Sequence, residues 1–576
     1  MRRKVLLVLL VSTLLVSLLG CARPRPRVET AGLASYMPAD TALFLAVQLR
    51  PEGKAAENWR RVRDAFASIP AVKKGLDEQA ATMKKGLPFD WKADIEPWLG
   101  KSAAVGLTDL GPLWQTLGTQ SPTDLQAGKV PPPPKMPFLL VVEVRDSKAF
   151  ASFQTRLEEE VKKAGGTFEG SAHGGATIYT VTIGESQFAF ALRDGRVLLV
   201  ADESAGVAAA LDRQEKDSLA ASADFKALLS HLPGGGLVLG YAAAGPLTRG
   251  LEGALSGLFR GAPLPAGGLT GGAKASGFTL LAEAKGLRIE SASTLDLAAL
   301  AEAGLKDYYD KMRQPHPGRV LEFMPKNAAL VVASRDLKGA WEMLKSQVQK
   351  TNPEALQQLQ GGLEDLKAQT GLDIENDVLS WMNGEFGLFL APGDGKTPAG
   401  VPAFRLGLIF EVGDMATAEA TMKKIEGLLT KAGEPQLSFA DQEIEGVKAR
   451  VIPMLQMAGY LPGYAFVDNF LIIAIDRASF EGAFRANKDK GERAAAAPEF
   501  AAVMEALPRQ KTDLFFLDFV ALTGFLDGAL EEPERTDFRE QVKPFLDLLG
   551  GLGAAGAAGK AGDDYSTSTM FLHLIP

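Results

Sequence analysis

The sequence predicts an α+β fold made of two tandem similar halves, each a mainly antiparallel sheet covered by helices on one face. Short apolar runs follow one another at hairpin spacing, which is typical of adjacent antiparallel strands. Longer helical patterns are inserted between some of these runs, as in α+β proteins. The third observation is that one series of segments occurs twice along the 576 residues.

The repeat consists of segments that recur in the same order, which indicates internal duplication. Each segment is paired here with its counterpart: 37–43 with 324–330, 94–96 with 373–375, 137–146 with 405–414, 194–202 with 468–476, and 224–233 with 499–508. We therefore place the first half at 33–300 and the second half at 319–576. Residues 301–318 form a linker, because they include the Pro/Gly-rich stretch typical of a boundary.

Local patterns predict individual elements of the first half. Apolar runs indicate strands at 42–49, 103–107 and 138–144, and a longer amphipathic pattern indicates a helix at 147–164. Two-residue hairpin turns with positive φ are expected at Asp194-Gly195 and Asp468-Asn469, since these residue types tolerate that region. A last hairpin is expected to turn at Lys285-Gly286.

The first twenty residues have the pattern of a secretory signal, with a basic start (2–4) followed by an apolar run (5–19). The segment Leu18-Leu19-Gly20-Cys21 resembles a bacterial lipobox. This resemblance implies that residues 1–20 are removed and that Cys21 becomes the lipidated first residue. Residues 21–32 would then form a stiff tether with Arg-Pro pairs. The alternative is an ordinary cleaved signal with an incidental cysteine.

The residue after Cys21 bears on the destination of a lipoprotein. Lipoproteins retained at the inner membrane of Gram-negative cells typically have Asp there, whereas this chain has Ala22. We therefore expect an extracytoplasmic protein anchored to a bacterial membrane, with the outer membrane favoured if the host has one.

Composition narrows the classes of function. The net charge is −8 at pH 7, so nucleic acid is not an expected partner. Hydrophobic residues are 46% and charged residues 23% of the chain, the balance of a globular protein. Cys21 is the only cysteine, so the chain has no second thiol for a disulfide or a thiolate pair.

Several segments together resemble the DUF3352 family of bacterial envelope proteins of unknown function. The resemblance is carried by MPADTALFLAVQL at 37–49, by the acidic-Trp-Gly segment before a strand, by the EVRD and EVGD strand ends, and by DGRVLLVAD at 194–202. It covers most of the mature chain and implies an extracytoplasmic location. The family brings no catalytic residues, so none is transferred to this sequence.

Residues that could carry chemistry are few. The four histidines are scattered and no HExxH motif occurs, so we expect neither a metal nor a cofactor. The repeated carboxylates Asp94/Glu96 and Asp373/Glu375 could bind Ca²⁺ or act as acid and base. We favour a structural role, in which Asp373 caps a helix and Glu375 lies in its first turn.

Two apolar segments are candidates for contact with an apolar ligand or a partner. One is a helical stripe in 247–259, and the other is 451–464, where flexible thioethers suit adaptable contacts. The candidate residues are Leu251, Leu255, Phe259, Met454, Met457 and Tyr460. Ordinary burial in the core is the alternative interpretation of both segments.

These features predict a lipid-anchored protein of the bacterial envelope whose role is binding or scaffolding rather than catalysis. The expected partners are the membrane, through Cys21, and an envelope protein or a lipid. The oligomeric state is left open. A carrier or sensor of an apolar ligand such as lipid is one alternative, and an enzyme with an unrecognised site is another.

Overall fold

The computed structural model describes residues 30–68, 73, 88–112, 136–245, 272–314, 318–396, 402–432, 438–529, 536 and 552–574. The chain divides into two compact units between Asp296 and Leu297. Each unit combines antiparallel strands with helices, so the predicted α+β class is confirmed.

The described residues of the first unit form ten strands, all paired antiparallel. They are β1 (Leu43–Gln48), β2 (Leu99–Leu107), β3 (Phe138–Val144), β4 (Thr167–His173), β5 (Ala176–Ile183), β6 (Ser186–Arg193), β7 (Val197–Ala201), β8 (Val238–Ala243), β9 (Ala273–Glu283) and β10 (Gly286–Leu295). Hydrogen-bonded neighbours follow the order β10-β9-β8-β1-β2-β3-β7-β6-β5-β4. Strand β4 lies at an edge of the sheet.

The second unit repeats this arrangement strand by strand. Its strands are β11 (Leu330–Arg335), β12 (Glu385–Lys396), β13 (Pro402–Glu411), β14 (Ala440–Ile444), β15 (Val447–Val451), β16 (Gly463–Val467), β17 (Phe470–Ala474), β18 (Leu514–Asp518), β19 (Ala554–Ala561) and β20 (Tyr565–His573). Their order is β20-β19-β18-β11-β12-β13-β17-β16-β15-β14, so β14 occupies the place of β4.

Helices occur between the strands of both units. Those of the first unit are α1 (Gly53–Ser68), α2 (Ser147–Lys163), α3 (Ser204–Asp212) and α4 (Ala223–Ser230). Those of the second are α5 (Leu297–Glu302), α6 (Lys306–Met312), α7 (Leu337–Thr351), α8 (Pro353–Thr370), α9 (Met415–Ala432), α10 (Arg477–Lys488), α11 (Pro498–Ala506) and α12 (Phe519–Ala529). Short π-helical turns precede β2 and β12, at Trp91–Ile95 and Ile374–Val378.

Helices cover both faces of the first sheet, and the expectation of one covered face is wrong. Leu139 and Val141 of β3 are buried in a cluster with helices α3 and α4. The alternate residues Leu140 and Val142 are buried in a different cluster, with helix α2. Because successive strand residues point to opposite faces, a strand with an unbroken apolar run, as β3 has at 138–142, needs cover on both sides.

The predicted elements of the first half lie close to the observed ones, and the turns differ in detail. Asp194 and Gly195 have φ of 51° and 67°. Their loop nevertheless contains three residues, because the Arg196 N–H donates to the Arg193 carbonyl at 3.0 Å. The loop at Asp468 (φ 50°) has the two residues expected. The last hairpin turns one residue early, at 284–285.

The π-helical turns correct the alignment of the repeat. Asp90 caps the first turn through the Ala93 N–H at 2.9 Å, and Asp373 caps the second through the Glu375 and Asn376 N–H groups. The counterpart of Asp373 is therefore Asp90, four residues before the Asp94 that the sequence suggested. Asp94 instead has the place of Asp377, as described below.

One glycine in each unit lets two strands approach closely. A Cβ at Gly100 would lie 2.5 Å from Glu143 Cβ and 2.6 Å from the Glu143 carbonyl oxygen. Because the strands are this close, the Glu143 carboxylate accepts hydrogen bonds from the Lys101 and Ser102 N–H groups. The β2–β3 pairing shifts register at this point. In the second unit, a Cβ at Gly384 would lie 2.9 Å from Glu411 Cβ, and the Glu411 carboxylate accepts from the Glu385 N–H.

We expect Gly100→Ala to destabilise the protein by about 2 kcal/mol, because backbone and carboxylate must move apart. Urea unfolding of residues 22–576 would measure the loss as a lower midpoint.

Gly361→Ala is the matched control. Gly361 lies in helix α8 and a Cβ there would meet nothing within 4 Å. This change should stabilise the helix by up to about 1 kcal/mol. Equal effects of the two substitutions would show that the close approach at Gly100 has no energetic role.

Candidate functional site

A cleft with an apolar lining opens on the face of the first sheet that α2 covers. It lies between α2, strands β3, β6 and β7, and the segment around the Trp91–Ile95 turn. Its empty space, mouth included, is about 810 Å³. The lining residues are Phe89, Trp91, Ile95, Trp98, Leu140, Val142, Phe150, Phe153, Gln154, Leu157, Phe188, Phe190, Leu198 and Val200. We call it the aromatic cleft, because half of these side chains are aromatic.

The periods of helix and strand explain the lining. Helix α2 presents side chains spaced three and four residues apart, which share one helical face: Phe150, Phe153, Gln154 and Leu157. Each strand presents alternate residues, which share one face of the sheet: Leu140 and Val142, Phe188 and Phe190, Leu198 and Val200. Local patterns therefore align each wall, and the fold brings the walls together.

Ring contacts preform the wall around Phe150. The Phe150 ring packs edge-on to Trp98, with centroids 5.2 Å apart, and to Phe190 at 6.4 Å. Phe153 packs against Phe89 at 5.2 Å and Trp98 at 5.4 Å. Such contacts between aromatic rings add to the stabilisation from burial. The rings are thus held in place by each other.

Asp94 connects the walls at one end of the cleft. Its carboxylate accepts a hydrogen bond from the Asp90 N–H at 2.7 Å and forms an ion pair with Arg156 of α2. Its carbonyl accepts from the Trp98 indole N–H at 2.8 Å. The π-helical turn, the indole and α2 are therefore fixed relative to one another.

The rim of the cleft is partly open to solvent. Trp91, Phe153, Gln154, Phe188 and Val200 are half-buried, whereas the other lining residues are buried. Gln154 is the one polar side chain of the lining. An apolar molecule could bury its length against the rings and place a polar end at the rim.

The second unit has the same contacts around its own π-helical turn. We call this set, an aspartate that joins the turn, a Trp indole and a cation of the covering helix, the frame. Asp377 accepts from the Asp373 N–H at 2.8 Å, and its carbonyl accepts from the Trp381 indole N–H at 2.8 Å. Asp377 also forms an ion pair with Lys424 of α9 at 2.5 Å. Asp377, Trp381 and Lys424 thus occupy the places of Asp94, Trp98 and Arg156. The frame belongs to the fold of both units.

The side chains on that frame differ between the units. Asp146 and Asp414 begin α2 and α9 in equivalent ways, which aligns Phe150 with Ala418 and Phe153 with Thr421. The strand registers align Val142 with Phe410, Phe190 with Tyr464 and Tyr179 with Arg450. The fold itself therefore does not require the rings of α2.

The second unit has a charged cluster near the position that corresponds to the aromatic cleft. Arg450 donates two hydrogen bonds to the Glu426 carboxylate, at 2.9 and 2.5 Å, and Tyr464 donates a third at 2.5 Å. The bond from Arg450 lowers the pKa of Glu426, with a smaller contribution from Tyr464. Burial and the bond to Glu426 raise the pKa of Tyr464. This cluster is polar where the first unit is aromatic.

Of the apolar residues singled out from the sequence, Met454 and Tyr460 have described side chains, and neither lines the aromatic cleft. Cys21, Leu251, Leu255 and Phe259 lie outside the described residues. Met454, Met457 and Tyr460 lie in or beside the short 3₁₀ segment Pro453–Ala458 of the second unit. Met454 is 49% exposed and Tyr460 half-buried, while the Met457 side chain is outside the described part. Their contact with a ligand stays a prediction.

The repeated carboxylates have structural partners. The cap role of Asp373 is confirmed, and hydrogen bonds from Lys367 and Asn376 lower its pKa. Glu375, in the first turn, accepts from Lys345 at 2.6 Å and from the Trp341 indole at 2.8 Å. These bonds, the one from Lys345 first, lower the pKa of Glu375. Neither carboxylate lies in the aromatic cleft.

The described residues offer neither a metal site nor a membrane-spanning helix. They contain no cluster of three or more His, Cys, Asp or Glu side chains arranged to hold a metal ion. Among the helices of the described ranges, none combines the length and apolar character needed to cross a membrane.

Comparison with protein families places the chain. A family model described as protein of unknown function (DUF3352) matches residues 4–574. The chain belongs to the DUF3352 family. The family resemblance in the sequence is thereby confirmed. No curated protein matches the chain.

This DUF3352 protein also has distant similarity to two solved structures, crystal forms I and IV of TP0453. Form I is 10% identical with a TM-score of 0.23, over 47% of this chain and 79% of that chain. Form IV is 12% identical with a TM-score of 0.24, over 45% of this chain and 80% of that chain.

The charged cluster predicts a pH-dependent stability. Glu426 has a lowered pKa in the folded protein, so its contribution is present above the ordinary value of 4.5 and is lost as the pH falls through the folded pKa. We expect Glu426→Gln to cost about 1–2 kcal/mol at neutral pH through lost charged hydrogen bonds. The difference from wild type should shrink below that ordinary value, measured by denaturant unfolding at several pH values.

Glu158→Gln provides the control. Glu158 has the place of Glu426 on α2, but its partner is Lys162 on the same exposed helix surface. The expected change is below about 0.5 kcal/mol. A pH-independent loss for Glu426→Gln would mean that the ionised carboxylate is not what stabilises the second unit.

Proposed function

We propose that this protein is held at a bacterial envelope membrane by a lipid on Cys21 and binds an apolar ligand, such as a lipid chain, in the aromatic cleft. The observation that carries the binding role is the cleft itself: 14 lining residues, of which one is polar, around an open space. The binding role rests on the described residues, and the anchor rests on the lipobox resemblance.

The lining of the cleft suits an apolar chain, because 13 of its 14 side chains are apolar or aromatic. Each methylene moved from water into such a lining contributes about 0.8 kcal/mol before the costs of binding. Because Gln154 is the polar lining residue, recognition would rest on shape and apolar contact. A polar headgroup would stay at the half-buried rim.

The comparison between units supports a role beyond packing. Both units keep the Asp-Trp-cation frame, but the rings of Phe150 and Phe153 are replaced by Ala418 and Thr421. A sheet of this kind therefore folds without those rings. Their presence in one unit is explained by a ligand that contacts them. The matching strand orders likewise support an origin of two tandem halves by duplication.

A scaffold that holds a protein partner and no small ligand is the competing function. Native mass spectrometry of residues 22–576, secreted to a periplasm and purified without detergent, separates the two. We expect a bound mass of several hundred daltons at near-unit stoichiometry, extractable into organic solvent. A bare chain mass, together with failure to bind a fluorescent fatty acid, would contradict the carrier role.

We expect Val142→Phe to abolish binding of the fluorescent fatty acid. Phe410 already stands at the corresponding position of the second unit, and a ring at position 142 would occupy the cleft. Phe153→Asp should weaken binding at least tenfold, because a carboxylate at the rim would be desolvated by an apolar chain. Titration of the probe, and its displacement by palmitate, measures both effects.

Thr155→Asp is the matched control for charge. Thr155 lies on the exposed surface of the same helix. This variant should bind the probe as wild type does. If Val142→Phe and Phe153→Asp, folded by circular dichroism, also bind normally, the ligand site lies elsewhere.

The anchor has its own test in the full-length chain. We expect the wild-type protein in the membrane fraction, with an N-terminal peptide that begins at Cys21 and carries diacylglycerol. Cys21→Ser should remain unlipidated when cells are fed an alkyne fatty acid. An unmodified Cys21 thiol in the wild-type protein would overturn the anchor and leave the cleft proposal intact.

A further inference from the structure

Among the described residues, the hairpin β4–β5 ends the first sheet, and no strand pairs with the outer edge of β4. Strand β4 pairs with β5 from Thr167–Thr182 to His173–Ala176 without a shift of register. It contains neither Lys nor Pro, and it has no bulge. Lysine, proline and bulges are among the features that protect edge strands of natural proteins from pairing, and β4 has none of the three.

Hairpin geometry identifies the backbone groups on that edge. Gly174 and Gly175 form a two-residue loop with φ of 55° and 81°, so His173 and Ala176 are a hydrogen-bonded pair. Alternation along the strand then directs the N–H and C=O groups of Phe168, Gly170 and Ala172 away from β5. In the described part of the chain these groups make no backbone hydrogen bond.

The corresponding edge of the second unit differs. Strand β14 is five residues long, and Ile444 pairs with Val447 across the loop Glu445-Gly446. The same alternation directs Asp441 and Glu443 outward. If two copies of β14 paired antiparallel about Gln442, Asp441 of each copy would lie opposite Glu443 of the other. Like charges opposed across strands are destabilising, so this edge is less suited to self-pairing than β4, with the repulsion reduced by the ion pairs of Asp441 with Lys448 and Arg450.

We propose that β4 pairs antiparallel with β4 of a second copy of this chain, about a two-fold axis at Gly170. Phe168 then faces Ala172 of the second copy, and the two Gly170 residues face each other. These pairs make six main-chain hydrogen bonds, the pattern of an isologous dimer with a continuous sheet. On the other face, Glu169 lies opposite Ser171 and Thr167 opposite His173, so no like charges lie directly opposite each other.

The side chains on the face of β4 that carries Phe168, Gly170 and Ala172 favour pairing with β4 of a second copy. The Phe168 ring packs on Tyr179 at 5.3 Å and on Phe190 at 5.9 Å. This row of rings runs from the aromatic cleft to the edge strand. Ala172 of the second copy would pack against its end and cover apolar surface. The glycine pair leaves the axis free of side chains.

The test is the oligomeric state of residues 22–576 by analytical ultracentrifugation over a wide range of concentration. The wild-type protein is expected to dimerise reversibly. Ser171→Glu places a carboxylate opposite Glu169 of the second copy at two positions and should weaken dimerisation roughly fivefold or more. Ser171→Lys places a cation there and should strengthen it, with the gain lost at high salt.

Opposite effects of the two charges distinguish an interface from a structural role, which would respond alike to both. Ala172→Pro removes an outward N–H without touching the β4–β5 ladder and should favour the monomer. Glu443→Pro, at an outward position of β14, is the control and should leave the dimer unchanged. A wild-type monomer at all concentrations, or a dimer indifferent to Ser171→Glu and Ser171→Lys, overturns the proposal.

Discussion

Strands with an unbroken apolar run require cover on both faces of the sheet, and this requirement organises each unit. In β3, Leu139 and Val141 pack with α3 and α4, while Leu140 and Val142 pack on the α2 side. The helices between strands supply this cover because their connections let them return over either face. Where α2 meets the π-helical turn, the cover is incomplete and the aromatic cleft opens.

The frame of the cleft is the same in both units, whereas the lining side chains differ. The frame is a capped turn, an indole hydrogen bond and an ion pair to the covering helix, and it recurs in the second unit. Partly exposed ion pairs of this kind contribute modestly to stability, but they fix the position of the helix. The lining varies on a constant frame, with rings in one unit and the Arg450–Glu426–Tyr464 cluster in the other. Variation of this sort lets one fold hold an apolar cleft in one unit and a charged, hydrogen-bonded cluster in the other.

The same contrast holds at the sheet edges. Strands β4 and β14 have equivalent places and two-residue loops, yet their outward positions differ in charge. Acidic residues on β14 discourage pairing with another strand, whereas Phe168, Gly170 and Ala172 leave the β4 edge uncharged. The chemistry of each unit is thus set at a few positions that the fold leaves variable.

Sequence alone determined what depends on neighbours along the chain. Strand β3, helix α2, the loop at Asp468 and the cap by Asp373 follow from local periodicity and turn chemistry. The recurring segments can also be read from the sequence, although Asp94 was matched with Asp373 because identical short segments outweighed position. Tertiary structure decided which helices cover which face, and that Asp90 is the counterpart of Asp373. It also decided the aromatic cleft, whose lining comes from residues 89 to 200. Those side chains meet because strands far apart in sequence pair side by side, and no local pattern records that pairing.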